Sequence, residues 1–210
     1  MGGPGAERAG APAGRGAYTQ RPMDPAPASA TDEALAARIR AGHRDAFDLL
    51  VRRWRDRIVD LAWLLTGDRD AAEDIGQETF LRFLRRPAAY DPSRPFGAWI
   101  CTVARNLCHD RFRRESTRGR HTQAASENGR LGPPHPPSPP AAAAEAELQE
   151  KLRAAIADLP GPFRDAYVLC AVRGLSYEEA GQVCGCPGKT ISTRLARARK
   201  RLLKRMEGWL

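Results

Sequence analysis

Several common features are missing from this sequence, and each absence narrows what the chain can be. No apolar run in its 210 residues approaches the length that a membrane span requires. Residues 1–30 lack the apolar stretch of a secretory signal, so we expect a cytoplasmic protein without membrane insertion. No segment alternates apolar and polar residues in the manner of a β-strand, so a helical protein is expected.

Motifs for catalysis or metal binding are also lacking. The pattern GxxxxGK[ST] of a phosphate-binding loop occurs nowhere, and no Ser–His–acid set can be identified. Cys184 and Cys186 are closer in sequence than the usual zinc-binding pair, and no second Cys or His pair accompanies them. We therefore expect no cofactor, no metal and no enzymatic activity. The five cysteines lie in apolar contexts, which is typical of small buried side chains.

What the chain does contain is a surplus of positive charge. Lys and Arg total 34 against 25 for Asp and Glu, which gives a formal net charge of +9. Such a surplus favours a polyanionic partner such as nucleic acid, but it also serves solubility alone. Charge by itself leaves both explanations open.

Composition divides the chain into two folded modules. Residues 1–30 and 117–143 are rich in Gly, Pro and Ala and too poor in apolar residues to offset chain entropy. We expect a disordered extension and a flexible Pro-rich linker there. Residues 31–116 and 144–210 carry apolar residues at helical spacing. The predicted fold class is all-α, with two small helical domains that move relative to each other.

Four helices are predicted in the first module. Thr31 or Asp32 caps the first, and Gly67 ends the second before Asp68 begins the third. The predicted apolar stripe of the third helix consists of Ala71, Ala72, Ile75, Thr79, Phe83 and Leu84. The fourth is predicted to direct its cationic side chains away from the core: Arg105, His109, Arg113 and Arg114.

The second module contains the strongest local signal, a helix-turn-helix pattern from Leu175 to Leu202. Ser176 and Glu179 fit a capping box, a Gly-containing turn follows, and Pro187 can start the last helix. In this motif the N-terminal residues of the second helix enter the major groove, so duplex DNA binding is favoured over an ordinary exposed basic helix. Its first turn offers short polar groups suited to base edges and phosphates: Lys189, Thr190, Ser192 and Thr193.

An acidic face of the third helix admits two explanations. Asp74, Gln77 and Glu78 are predicted on its exposed side, opposite the apolar stripe. Such a face suits a protein partner with basic residues. On pattern alone, however, an ordinary solvated helix face explains it better.

The segment from Tyr90 to Arg114 is equally open to two explanations. It combines aromatic and cationic side chains, as single-stranded nucleic acid requires, because rings stack on bases and Arg pairs with phosphates. Phe96 and Trp99 nevertheless fall on the apolar stripe of the fourth helix, which favours a core role for those two rings.

A resemblance to the extracytoplasmic-function sigma factors of the sigma-70 family covers nearly everything outside the two segments expected to be disordered. Domain two of that family is similar to DAFDLLVRRWRDRIVDLAWLLTGDRDAAEDIGQETFLRFLRR followed by SRPFGAWICTVARNLCHDRFRRE. Domain four is similar to DLPGPFRDAYVLCAVRGLSYEEAGQVCGCPGKTISTRLARARKRL. The blocks occur in the family's order and with its spacing, and the resemblance implies that residues 31–116 form a four-helix sigma domain two and 144–210 a helix-turn-helix sigma domain four.

The resemblance implies a non-catalytic initiation subunit that binds core RNA polymerase, directs it to promoter DNA and helps open it, under control of an anti-sigma factor. The implied polymerase contacts are the clamp helices of the largest subunit and the flap of the second largest subunit. The residues matching the clamp-docking block are Asp74, Ile75, Gln77, Glu78 and Phe80. Those matching the minus-ten reader are Tyr90, Arg94, Trp99, Arg105, Asn106, Asp110, Arg111, Arg113 and Arg114. Those matching the minus-thirty-five reader are Gly188, Lys189, Thr190, Ser192, Thr193, Arg194, Arg197 and Lys200.

The sequence departs from the family pattern at several positions, and two other functions remain as alternatives. The departures are Gly76 in the docking block, Cys101, Cys184, and the set Gly188, Lys189 and Ser192 in the last helix. A stand-alone helix-turn-helix regulator is the main rival, but it would carry a sensor or dimerisation domain in place of the first module. An RNA-binding or nuclease-like enzyme is the second, and it predicts metal-dependent cleavage.

Overall fold

The computed structural model describes residues 29–119 and 140–207, with side chains described for 29–115 and 147–207. Every regular element in these ranges is helical, which confirms the all-α fold class. The α-helices are α1 (Asp32–Arg40), α2 (Arg44–Thr66), α3 (Arg69–Arg85), α4 (Phe96–Gly119), α5 (Pro140–Ala157), α6 (Gly161–Tyr167), α7 (Tyr177–Cys184) and α8 (Gly188–Met206). A 3-10 turn spans Pro87–Ala89, and a π-helical segment, Val168–Val172, continues α6. Most of the predicted extension and linker lies outside the described residues.

Helix boundaries in the first module follow local chemistry. The Thr31 side chain accepts a hydrogen bond from the Ala34 amide at 3.2 Å, which confirms it as the cap of α1. Asp68 caps α3 in the same way, accepting from the Ala71 amide at 3.0 Å. Between them Gly67 ends α2 with a φ of 73°, a left-handed conformation that glycine adopts without steric cost.

The core of the first module lies between α2, α3 and α4. One residue that was expected in this core lies outside it. Leu84 was predicted to be buried but is 40% exposed, whereas Phe80 is 5% exposed. Gly76, Phe80 and Phe83 stand at i, i+4 and i+7, so the buried face of α3 continues through Phe80. The buried side chains of this module include Leu35, Leu50, Ile58, Leu61, Leu65, Phe83, Phe96 and Ile100.

Aromatic rings fix the loop between α3 and α4. Tyr90 lies 5.3 Å from Phe96 and 5.5 Å from Trp99 between ring centroids, both edge-on, and Phe83 contacts the same two rings. The Tyr90 hydroxyl donates to the Arg94 carbonyl oxygen at 2.7 Å. The loop is therefore packed onto the start of α4.

Two helix boundaries next to the predicted linker differ from the expectation. Helix α4 reaches Gly119, beyond the predicted domain end at 116, and α5 begins at Pro140 instead of after residue 143. The segment AAAAEAELQE explains the early start, because Ala and Glu are strong helix formers and Pro is favoured in the first turn. Leu148 in α5 is 47% exposed.

The two modules contact each other in this structure. Helix α4 packs against α7, and α2 packs against α5, α6 and the π-helical segment. Buried residues of both modules form one continuous apolar cluster. Among the described helices, none combines the length and hydropathy that a membrane span needs.

Candidate nucleic-acid interface

The first helix of the helix-turn-helix, α7, begins with the predicted capping box. The Ser176 side chain accepts from the Glu179 amide at 3.1 Å, and the Glu179 carboxylate accepts from the Ser176 amide at 2.8 Å. Each residue thus satisfies an amide that would otherwise lack a partner at the helix start. The prediction of this cap is confirmed.

The turn after α7 is held in one tight conformation by two glycines. Gly185 ends α7 with a φ of 66° in the left-handed region. The Cys186 amide donates to the Gly181 carbonyl at 2.9 Å. A Cβ on Gly181 would lie only 2.6 Å from the Cys186 carbonyl oxygen, so the close approach of turn and helix requires glycine there.

The second helix, α8, has one apolar and several polar faces. Its buried face consists of Ile191, Leu195, Ala198 and Leu202. Four residues of the predicted minus-thirty-five set are exposed: Lys189, Thr193, Arg197 and Lys200. The other four are half-buried: Gly188, Thr190, Ser192 and Arg194. The N-terminal turn of α8, with its backbone amides and short polar side chains, is the part that can face a phosphate or a base edge.

Other cations of α8 are engaged within the second module. The Arg201 guanidinium lies 5.5 Å from the centroid of the Phe163 ring, and Arg205 forms an ion pair with Asp158. Arg194 donates to the Cys186 sulfur at 3.5 Å, which links the recognition helix to the turn before it. The basic residues near the start of α8 are thus separated from those at its far end, which contact Phe163 of α6 and Asp158.

The acidic face of α3 is present on the surface. Asp74 and Gln77 are exposed and Glu78 is half-buried, whereas Ile75 and Phe80 belong to the core. Glu78 pairs with Arg82 at 3.0 Å and with Arg85 at 3.6 Å. Of the five predicted docking residues, only Asp74 and Gln77 are exposed polar side chains, and the apolar Ile75 and Phe80 pack into the core.

A basic cleft lies along α4 beside α3. Its volume is about 490 Å³, and it is lined by Arg82, Arg105, Asn106, His109, Asp110 and Arg113. The structure therefore brings together four residues of the predicted minus-ten set. Arg82 and His109 were not in that set. Arg82 comes from α3, and its place in the cleft depends on how two helices pack, which the sequence pattern does not reveal.

The structure does not support the predicted role of Tyr90 in stacking on a base. Its side chain is buried, at 1% exposure, between Phe96 and Trp99, so it cannot stack on a base in this conformation. Burial also raises the pKa of its hydroxyl, which serves the loop as a hydrogen-bond donor. Trp99 is half-buried in the same cluster, as its position on the apolar stripe indicated.

The expectation that Arg105 faces solvent is also wrong. Its Nε and Nη2 lie 2.8 and 2.7 Å from Oδ2 of Asp165 in α6, and His109 Nε2 is 3.2 Å from the same oxygen. Burial would raise the pKa of the Asp165 carboxyl, but the His109 hydrogen bond and the Arg105 charge outweigh it, so this pKa is lowered. Sequence reasoning missed Asp165, which lies in the second module.

The remaining residues of the predicted minus-ten set differ in their surroundings. Arg94 is exposed and lies 3.7 Å from Asp91. Arg111 pairs with Asp68 at 2.8 Å and so supports the cap of α3. Arg113 pairs with Asp110 within α4, and Arg114 is exposed beside it.

Gly76, which departs from the family pattern, has a structural explanation. A Cβ at this position would lie 2.8 Å from Cγ2 of Val59, so glycine allows α3 to approach α2 closely. Of the five cysteines, Cys101 and Cys108 are fully buried, as expected, whereas Cys170, Cys184 and Cys186 are only half-buried.

Comparison with known proteins gives two family matches. Sigma-70 region 2 matches residues 50–118, and Sigma-70, region 4 matches residues 149–202. The chain is 39% identical over 158 residues to the ECF RNA polymerase sigma factor SigE of Mycolicibacterium smegmatis, covering 75% of this chain and 60% of that protein. It is 36% identical over 144 residues to the ECF RNA polymerase sigma factor EcfG of Rhodopseudomonas palustris, covering 66% of this chain and 72% of that protein. The chain thus spans about three fifths of the SigE relative.

Among solved structures, the sigma factor RpoE of Bartonella quintana, determined in complex with the anti-sigma factor NepR, has the same fold. The TM-score is 0.65 at 24% identity, and the match covers 77% of this chain and 96% of RpoE. At this identity the similarity speaks for the arrangement of helices alone.

Proposed function

Since the chain belongs to the extracytoplasmic-function sigma factors of the sigma-70 family, we propose that it binds core RNA polymerase, directs it to specific promoters and helps open the DNA. The observation that carries this proposal is that both sigma regions match in the family's order. Each region also carries a surface of the required charge. The first has the acidic face of α3 beside the basic cleft of α4, and the second has the basic start of α8.

The acidic face of α3 is proposed to dock on the clamp helices of the polymerase largest subunit. Asp74 and Gln77 supply the contacts, because they are the exposed polar side chains of that face, and Glu78 joins them once it leaves its arginine partners. Ile75 and Phe80 hold α3 in place from the core. The second module contacts the flap of the second largest subunit.

Promoter recognition is proposed to divide between the two modules. The start of α8 binds the minus-thirty-five duplex, and much of that affinity comes from phosphate contacts, so it falls with rising salt. The α4 cleft binds extruded bases of the minus-ten element. Unstacking a base costs a few kcal/mol, and a site that fits the extruded base offsets that cost only at matching DNA. The polymerase supplies all phosphoryl chemistry, and this chain supplies none.

Regulation by an anti-sigma factor is part of the same proposal. RpoE of Bartonella quintana, which shares this fold, was solved bound to such a factor. A protein that covers the acidic face of α3 or the α4 cleft would compete directly with polymerase or promoter. A cytoplasmic location follows from that of the polymerase.

A pull-down with core polymerase tests the docking step. The chain carrying both Asp74→Lys and Glu78→Lys is expected to lose binding, because two contacts of the acidic face change sign. The matched control carries Asp56→Lys and Asp158→Lys, which make the same charge change at exposed positions outside that face. If the first variant still binds, the docking assignment is wrong.

Specific run-off transcription tests the function as a whole. A chain that neither associates with core polymerase nor yields promoter-specific transcripts would refute the proposal. Incubating the chain alone with labelled DNA and Mg²⁺ distinguishes it from a nuclease, since cleavage would contradict a non-catalytic role.

A further inference from the structure

Helix α4 begins without a capping residue of its own. It starts at Phe96, directly after Pro95, whose side chain cannot accept a hydrogen bond. Its first turn contains no acidic residue. The hydroxyl and the amide of Ser93 both donate to Asp91, within the loop that precedes the helix. Since the first amides of a helix lack acceptors within the helix, an acceptor for the start of α4 has to come from another part of the chain.

Glu33 of α1 supplies this acceptor. Its Oε1 accepts a hydrogen bond from the Phe96 amide at 3.0 Å, although the two residues are 63 positions apart. A negative charge at this place is also favourable because the start of a helix is the positive end of its dipole. Burial, followed by the charge of Glu33, raises the pKa of the Tyr90 hydroxyl, so the carboxylate lies near the loop as well. Glu33 therefore caps a helix to which it does not belong.

A second contact joins α1 to the start of α4 through the ring of Trp54. The indole Nε1 donates to Oδ2 of Asp32 at 2.8 Å. The same ring covers Gly97, where a Cβ would lie only 2.5 Å from the ring carbon Cη2. It also lies 6.1 Å from the Phe96 ring between centroids, edge-on. Two successive acids of α1 thus hold the first two residues of α4, Glu33 directly and Asp32 through the indole.

Helix α1 is itself held in place from several sides. Its Leu35, Ala36 and Ile39 are buried in the core. Asp32 also accepts from Arg53 of α2 at 3.0 Å. The helix packs against α2, α4 and the 3-10 turn of the loop. The match to Sigma-70 region 2 begins at residue 50, so α1 lies outside the part of the chain that the family model covers.

We propose that Glu33 is a positioning residue for promoter opening: by capping α4, it holds residues 86–95 and the start of α4 in the conformation that selects minus-ten bases. This inference rests on the proposed function of that region. The exposed Arg94 stands two positions before the capped Phe96 amide, and its carbonyl oxygen accepts from the Tyr90 hydroxyl. A shift of the helix start therefore moves the loop with it. Glu33 acts through this backbone and not by touching DNA.

Amide hydrogen exchange of the free full chain, followed by mass spectrometry, tests the cap without DNA. Glu33→Ala is expected to speed exchange about fivefold in peptides that cover residues 86–99, which is the factor for the loss of one helix cap. Exchange in α7 and α8 is expected to stay as in wild type. The control is Asp56→Ala, which removes an equal charge from an exposed side chain of α2 and is expected to exchange as wild type does. Unchanged exchange of residues 86–99 in Glu33→Ala would overturn the proposal.

Two conservative variants separate this cap from a role within α1. Glu33 lies in the first turn of α1, where any acid favours the helix. Glu33→Asp keeps that charge, but its side chain is one methylene shorter and falls short of the Phe96 amide. Glu33→Gln loses the charge but keeps an oxygen acceptor of equal reach. We expect Glu33→Gln to exchange nearly as wild type does and Glu33→Asp to exchange as Glu33→Ala does. The opposite order would show a role within α1 alone and would refute the proposal.

Promoter opening by reconstituted holoenzyme tests the effect on DNA. The probe is 2-aminopurine in the minus-ten element of a promoter that yields run-off transcripts, because its fluorescence rises when the base leaves the stack. Glu33→Ala and Glu33→Asp reduce the fraction of chains with the loop in place, so open-complex formation is expected to be about fivefold weaker. Glu33→Gln and Asp56→Ala are expected to open the promoter nearly as wild type does.

Binding to a duplex that carries only the minus-thirty-five element separates positioning from a general loss of structure. Glu33→Ala is expected to bind this duplex as wild type does, because α8 does not contact α1. An equal loss in duplex binding and in opening, or opening at the wild-type level in Glu33→Ala, would refute the positioning role. If the wild-type holoenzyme opens no promoter, the proposed function fails, whereas the exchange result on the cap stands.

Discussion

Replacing Gly181 by alanine tests the geometry of the helix-turn-helix. The new Cβ would lie 2.6 Å from the Cys186 carbonyl oxygen and 3.2 Å from the Gly188 amide nitrogen. Both obstacles are backbone atoms, so no side chain can rotate away and the turn itself must move. Forcing a methyl group into a packed site costs about 1–3 kcal/mol, and alanine recovers about 1 kcal/mol of helix propensity. Because a backbone oxygen lies only 2.6 Å from the new Cβ, the cost falls in the upper half of that range, about 2–3 kcal/mol, and the net destabilisation is about 1–2 kcal/mol.

Thermal unfolding followed by circular dichroism measures this effect. For a unit of this size, the expected loss lowers the midpoint of the second module by about 5–15 °C. The matched control is Gly161→Ala, where a Cβ meets nothing within 4 Å and the backbone is not left-handed, so stability is expected to stay equal or rise. If the Gly181→Ala chain unfolds at or above the temperature of the control, the close packing of turn and helix is wrong.

Duplex binding provides an independent readout of the same substitution. The turn sets the start of α8 through the hydrogen bond from Cys186 to Gly181. A displaced turn therefore moves the residues that face DNA. We expect weaker promoter binding at temperatures where the Gly181→Ala chain is still folded, and unchanged binding by Gly161→Ala.

Three other outcomes follow from local chemistry. Ser176→Ala removes the α7 cap and is expected to destabilise the second module by about 1 kcal/mol in urea unfolding, and an unchanged midpoint would contradict the capping box. Arg194→Ala is expected to weaken promoter binding by about 1–3 kcal/mol and to relax sequence choice in a competition assay, whereas a uniform loss on all sequences would make it a phosphate contact. Burial raises the pKa of Cys101 and Cys108 to about 12, so below that pH they remain protonated thiols. Since the thiolate is the nucleophile, alkylation followed by mass spectrometry should modify half-buried Cys186 well before either of them, and equal rates would contradict their burial.

Local features of this fold could be predicted because they depend on residues a few positions apart. The caps formed by Thr31 and Asp68 and the box formed by Ser176 and Glu179 all join side chains to amides three residues away. Helical spacing likewise identified most of the buried face of α3. The boundaries of the two predicted domains and the assigned binding residues remain predictions, although the family matches lie within or close to those domains.

The errors arose where a residue's surroundings come from another helix. Leu84 lies on the edge of the α3 stripe, and the packing of α2, whose Phe47 ring lies 6.5 Å from that of Phe80, decides which edge is buried. Tyr90 is an aromatic residue of the kind that stacks on bases, but its ring instead packs in a cluster with Phe96 and Trp99. No pattern within α3, or within the loop that carries Tyr90, could reveal these contacts.

From the sequence alone came the class of fold, the order of the two modules and the helix-turn-helix, because periodicity, capping and glycine turns are encoded within a few residues. The tertiary structure alone decided which charges meet. Arg105 and Asp165 are 60 positions apart, and their pairing depends on how two separately folding patterns dock, for which no sequence period exists. Burial then makes that one pair matter more than the exposed charges around it, since a desolvated ion needs its partner.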